Sequence, residues 1–81
     1  METLLLYQFP NCPFCRKVRD WLDTHGIDYE TVDVEHDRAD ALRQEIAERS
    51  GVTTVPVLKI GDGRWIGDSE RIIAWLEAHK I

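Results

Sequence analysis

The chain has 81 residues, 43% of them hydrophobic and 31% charged, with a formal net charge of −5. That length accommodates one compact domain, residues 1–81, and the composition is that of a folded chain rather than a disordered one. The negative balance argues against a broad nucleic-acid footprint, and no run approaches the ~20 apolar residues that cross a bilayer.

The start, Met1-Glu2-Thr3, lacks the basic opening and long apolar stretch of a secretory leader, so the expected location is cytoplasmic, away from membranes. Thr3 to Phe9 is apolar and β-prone and reads as a buried first strand. Pro10 and Asn11 end it, with Asn11 the expected cap of the following helix. From Pro13 to His25 the apolar positions Phe14, Val18, Trp21 and Leu22 recur at helical spacing, and Gly26 stands where a helix-terminating glycine belongs. Asp28 to Val34 alternates polar and apolar residues, the period of a second strand.

Asp40 to Arg49 reads as a second helix, its turns marked by Ala41, Leu42, Glu45 and Ile46, with Gly51 ending it. Val55 to Ile60 is a third strand containing Pro56. Gly61-Asp62-Gly63 makes a tight turn into a short returning strand, Arg64 to Ile66. Gly67-Asp68-Ser69 opens the last helix, whose Ile72, Ile73, Trp75 and Leu76 face the core. The order β-α-β-α-β-β-α makes the first two strands parallel through a right-handed crossover and the last two antiparallel. The expected fold is α/β, a four-stranded mixed sheet with helices on both faces.

The chain's two cysteines, in Cys12-Pro13-Phe14-Cys15, are too close to staple a fold, because a disulfide stabilises more as its loop lengthens. Two adjacent thiols in a reducing compartment point to chemistry instead. Cys12 lies where a strand meets a helix, beside free backbone N–H groups and the positive end of the helix dipole, which favour thiolate over thiol. The dipole is worth ~0.3–2 kcal/mol, against ~1.36 kcal/mol per pKa unit. Arg16 and Arg19 add positive charge one and two turns along, Arg16 being the expected electrostatic support. Cys15, one turn below Cys12 and more sheltered, suits the resolving role in thiol–disulfide exchange. Pro13 stiffens the first turn without loss of a hydrogen bond. No metal site is expected, since His25, His36 and His79 lack zinc-ligand spacing relative to the cysteines.

Tyr7, Cys12-Pro13-Phe14-Cys15, Gly26-Ile27-Asp28-Tyr29-Glu30, Thr54-Val55-Pro56-Val57-Leu58 and Ile66-Gly67-Asp68-Ser69 carry a resemblance to glutaredoxins. The chain is also similar to the thioredoxin-fold N-terminal domain of glutathione transferases. The resemblance implies a thioredoxin-like fold and a cis bond before Pro56. It also implies a site for glutathione formed by Pro13, Phe14, Thr54, Val55, Pro56, Asp68 and Ser69 around the catalytic Cys12 and Cys15. Val55 would hold the cysteinyl backbone, and Asp68 with Ser69 the γ-glutamyl end, at a helix start suited to anions.

Many glutaredoxins carry lysine where this chain has Phe9, and arginine or glutamine where it has Thr53. An iron–sulfur cluster is disfavoured by Pro13, because cluster binders of the family usually have a smaller residue there. The implied activity is glutathione-dependent dithiol reduction of protein disulfides and glutathione mixed disulfides by a monomer without a permanently bound cofactor. The alternatives are a non-catalytic module that binds glutathione or a partner, and a glutaredoxin-like protein reduced by thioredoxin reductase.

Overall fold

The computed structural model describes residues 3–37, 39–61 and 63–79. Its elements run β1 (Leu4–Gln8), α1 (Pro13–Thr24), β2 (Glu30–Asp33), α2 (Ala41–Ser50), β3 (Val57–Ile60), β4 (Arg64–Gly67) and α3 (Ser69–His79). The strands form one sheet in the order β2-β1-β3-β4, with β1 parallel to β2 and the other two pairs antiparallel. The chain therefore has the mixed α/β architecture its element order implies.

Alternation along β1 sorts the core into two layers, because successive side chains leave a strand on opposite faces. Leu4 and Leu6 join Leu58 and Ile60 against Val18 and Leu22 of α1 and Ile72 and Leu76 of α3. Tyr7 and Val57 lie in the second layer with Ile46 of α2, Cys15, Val34 and Val55. At ~1.5–3 kcal/mol for each large apolar side chain fully buried, these layers supply most of the stabilisation that opposes chain entropy.

Several boundaries differ from the sequence expectation. Strand β2 is shorter than Asp28–Val34 and β3 begins at Val57 rather than Val55, leaving Thr53 to Pro56 as a non-strand approach. The N-cap of α1 is Cys12, not Asn11. A proline disfavours helical geometry in the residue before it; Cys12 is accordingly extended (φ −83°, ψ 122°), while its carbonyl accepts from the Arg16 N–H at 2.9 Å.

Phe14 does not join the buried face; it is 63% exposed, and Cys15, Val18 and Leu22 point inward instead. In α2 the buried side chains are Arg43 and Ile46, whereas Ala41 and Glu45 are exposed. The turn between β3 and β4 lies where expected, with its Asp62 outside the described residues, as are Met1 and Glu2.

Geometry requires glycine at Gly26 and at Gly67 for different reasons. Gly26 (φ +66°) closes α1 as its N–H reaches Asp23 O at 3.2 Å and the Ile27 N–H reaches Leu22 O at 3.0 Å. This is the paired C-terminal motif in which glycine takes the left-handed position. At Gly67 a Cβ would lie 2.1 Å from Cγ2 of Val52, so the approach to α3 tolerates no side chain as it stands.

Candidate active site

Cys12 is half-buried and Cys15 is fully buried, and both are free thiols. Desolvation is the largest influence on Cys12 and opposes ionisation. It is outweighed by the N–H and thiol of Cys15, the N–H of Phe14 and the charge of Arg19, so the net shift is downward. The Cys12 side chain makes no capping hydrogen bond, although its sulfur stands at the N-cap position, where an oxygen ordinarily caps. Burial pushes Cys15 the other way, to about 12, with further increments from the hydrogen bond and charge of Cys12. Two thiols one helical turn apart are thus shifted in opposite directions, Cys12 towards thiolate and Cys15 towards thiol.

The cation acting on the cysteines is Arg19 rather than Arg16. Arg16 points to solvent and pairs with Asp20 at 3.7 Å, and such exposed pairs are worth little. Arg19 instead turns back along the helix: one terminal nitrogen donates to Gln8 Oε1 at 2.5 Å and the other to the Pro10 carbonyl at 3.4 Å. Gln8, at the end of β1, is itself buried.

A cavity of about 390 Å³ reaches Phe14, the residue before Cys15, although neither cysteine is in its wall. Its wall contains Phe14, Thr54, Val55, Pro56, Asp68 and Ser69, six of the residues named as the glutathione site, and adds Phe9, His36 and Arg43. Cys12 packs against the core layer that contains Val55. The Val55–Pro56 bond is cis. Pro13 is exposed at the head of α1 and is not in the cavity wall.

In the cavity wall, Asp68 adopts φ +76°, a left-handed conformation that is sparsely populated outside glycine and costs energy. Its N–H donates to the Pro56 carbonyl at 3.2 Å and its own carbonyl accepts from Ile72, so Asp68 is the hinge between the proline segment and α3. The buried Ser69 follows at the start of the helix, where unpaired N–H groups favour an anion.

The wall also contains Arg43, which the sequence reading did not name, with Phe9 and His36 beside it. Arg43 is only 7% exposed. It donates to the carbonyls of Glu35 (2.6 Å), His36 (3.2 Å) and Thr53 (2.9 Å), and its guanidinium lies 5.1 Å from the Phe9 ring centre. Phe9 in turn stacks on His36 with ring centres 4.1 Å apart. The described residues give Arg43 no carboxylate partner, so a buried positive charge stands in the cavity wall. No sequence signal marks this arginine, since its partners are backbone carbonyls, which any residue supplies. Among the described residues no cluster of three or more potential metal ligands occurs.

Comparison with known proteins bears on this geometry. The glutaredoxin family profile matches residues 4–66. Glutaredoxin from Pseudomonas aeruginosa is 32% identical over 81 residues, covering all of this chain and 93% of that protein. Prostaglandin E synthase 2 from Danio rerio is 41% identical over 94% of this chain. The chain spans only about a fifth of that longer relative (19%).

Among solved structures, the buckwheat glutaredoxin–glutathione complex superimposes with a TM-score of 0.79 at 22% identity. It covers 98% of this chain and 72% of that one, a likeness of fold. Glutaredoxin 2 from Salmonella typhimurium in complex with glutathione gives 0.81 at 25% identity, over 99% of this chain and 35% of that one. The mixed sheet is therefore the thioredoxin-like one, and the chain belongs to the glutaredoxin family.

Proposed function

We propose that this protein is a glutathione-dependent thiol–disulfide oxidoreductase in which Cys12 is the nucleophile and Cys15 the resolving thiol. The observation that carries this reading is the opposed pair: a half-exposed Cys12 favoured as thiolate directly above a buried Cys15 held as thiol. Exchange needs such a division of labour, because only the thiolate attacks and the second thiol must wait.

Glutathione binds in the cavity, extended along Thr54 and Val55, with its thiol towards Cys12. Its carboxylates suit two features of the cavity wall, the free N–H groups at the start of α3 and the Arg43 guanidinium, while the Asp68 carboxylate suits its α-ammonium group. Arg43 offers positive charge although Phe9 and Thr53 replace the lysine and the arginine or glutamine common in the family.

The cycle opens when the Cys12 thiolate attacks the glutathionyl sulfur of a mixed disulfide. A Cys12–glutathione disulfide forms and the protein thiolate leaves. A second glutathione thiolate attacks that glutathionyl sulfur, releasing oxidised glutathione and the Cys12 thiolate. With a protein disulfide as substrate, Cys12 forms the mixed disulfide, and Cys15 gives up its proton to attack the Cys12 sulfur. The substrate leaves as a dithiol and a Cys12–Cys15 disulfide remains, which two glutathiones reduce.

The test is turnover of a glutathionylated peptide with glutathione, glutathione reductase and NADPH, beside a parallel reaction with thioredoxin reductase as donor. Turnover with glutathione is expected. Turnover with thioredoxin reductase alone would move the protein to the other donor, and none with either would make it a binding module.

A further inference from the structure

Gln8 and Arg19 stand outside the cavity wall and are absent from every role assigned above except the charge felt by the cysteines. Their connections form a chain. The carboxylate of Asp33 on β2 accepts from the Gln8 side-chain nitrogen at 3.1 Å, and the Gln8 side-chain oxygen accepts from Arg19. The guanidinium of Arg19 reaches on to the Pro10 carbonyl, two residues before Cys12. Gln8 and Asp33 face each other in the parallel register of β1 and β2, so the sheet itself fixes their separation.

The chemistry of the link is directional. A carboxylate only accepts and a guanidinium only donates. A neutral group that satisfies both at once must offer a donor on one side and an acceptor on the other, which a carboxamide does in one orientation only. Asp33 therefore decides which way the buried Gln8 amide faces, and that orientation presents an oxygen to Arg19. Without it the arginine side chain, with its many rotamers, has no reason to fold back towards the helix start.

We propose that the Asp33–Gln8–Arg19 chain is a positioning device that holds a guanidinium against the loop carrying Cys12 and so sets that thiol's reactivity. Gln8 acts through Arg19 and touches neither substrate nor sulfur. The charged and titratable groups bearing on Cys12 are Cys15 from α1 and Arg19. The inference rests on Cys12 being the reacting thiol, but its test uses no glutathione and no enzyme turnover.

The experiment follows the reduced full-length protein by thiolate absorbance and by the rate of iodoacetamide modification of Cys12 across pH, for wild type, Gln8→Leu, Arg19→Met and the double variant. Each single change is expected to move the Cys12 profile to higher pH and slow modification at pH 7 by about two- to fivefold, the range of a partly exposed charge interaction. The double variant is expected to match Arg19→Met, because groups acting in series do not add.

Asp33→Ala, on an exposed edge residue, covers the case in which loss of the buried Gln8 prevents folding. It should shift the profile in the same direction, and Asp33→Asn, which can still accept from the amide, should restore it. Additive shifts in the double variant, or an unchanged profile in both Gln8→Leu and Asp33→Ala, would overturn the proposal. Absence of glutathione turnover in the wild type, with the expected profile shifts observed in the variants, would instead count against the functional reading alone.

Discussion

Replacing Gly67 with alanine tests how tightly α3 is seated on the site. The added Cβ would meet Val52 Cγ2 at 2.1 Å and its Cβ and Cγ1 at 3.2 Å, so the groups must part by more than 1 Å. Gly67 is paired to Val57 in the sheet, and Asp68 beside it is tied to the Pro56 carbonyl, so the backbone has little room to yield. Overpacking of this kind costs ~1–3 kcal/mol. Net stability for a chain of this size is only about 4–12 kcal/mol, and the midpoint should drop by about 4–8 °C per kcal/mol.

Urea unfolding followed by tryptophan fluorescence would measure the loss. Val52→Ala removes the colliding methyls, and in the double variant most of the Gly67→Ala cost should disappear, a coupling of 1 kcal/mol or more. The reasoning is refuted if Gly67→Ala lies within about 0.5 kcal/mol of wild type, or if Val52→Ala and Gly67→Ala simply add.

Other outcomes follow from the same geometry. Cys12→Ser should abolish turnover, whereas Cys15→Ser should keep glutathione mixed-disulfide reduction and lose protein-disulfide reduction; steady-state assays on both substrates separate the two. The folded-state pKa of Cys15 is raised, so the folded protein retains a proton that the unfolded chain loses above ~8.5. Stability of the reduced form should therefore fall as pH rises from ~8.5 towards about 12, and Cys15→Ala should flatten that decline in urea midpoints. Arg43→Met should cost about 2–4 kcal/mol by orphaning three carbonyls. It should also raise the KM for glutathione more than it lowers kcat, whereas Arg43→Lys should recover part of both.

Much of the site could be read from residue order because local rules and tertiary demand agree there. The apolar run from Thr3 to Phe9 does form a buried strand, and Thr54-Val55-Pro56 and Asp68-Ser69 do meet at one cavity. The cap of α1 was misread because Asn11 is the better capping residue in isolation, while Pro13 fixes the helix start by constraining Cys12.

The arginines show a different limit. Arg16 and Arg19 look alike along α1, but Asp20 captures the first and buried Gln8 the second, and Gln8 comes from another strand. Arg43 sits in a helix that reads as polar, and its burial depends on carbonyls from two loops that only the fold brings together.

In the proposed exchange, the opposed shifts of the two thiols would also order events in time. Part of what holds the proton on Cys15 is the negative charge and hydrogen bond of Cys12. Once Cys12 is tied up in a mixed disulfide, that charge is gone, and the same Cys15 becomes easier to ionise while its target sulfur sits one turn above. Before substrate arrives, burial and the retained proton both work against reaction of Cys15. After capture, the bond that marks the intermediate removes part of the restraint on the group that resolves it. In that proposal the disappearance of one charge would time commitment.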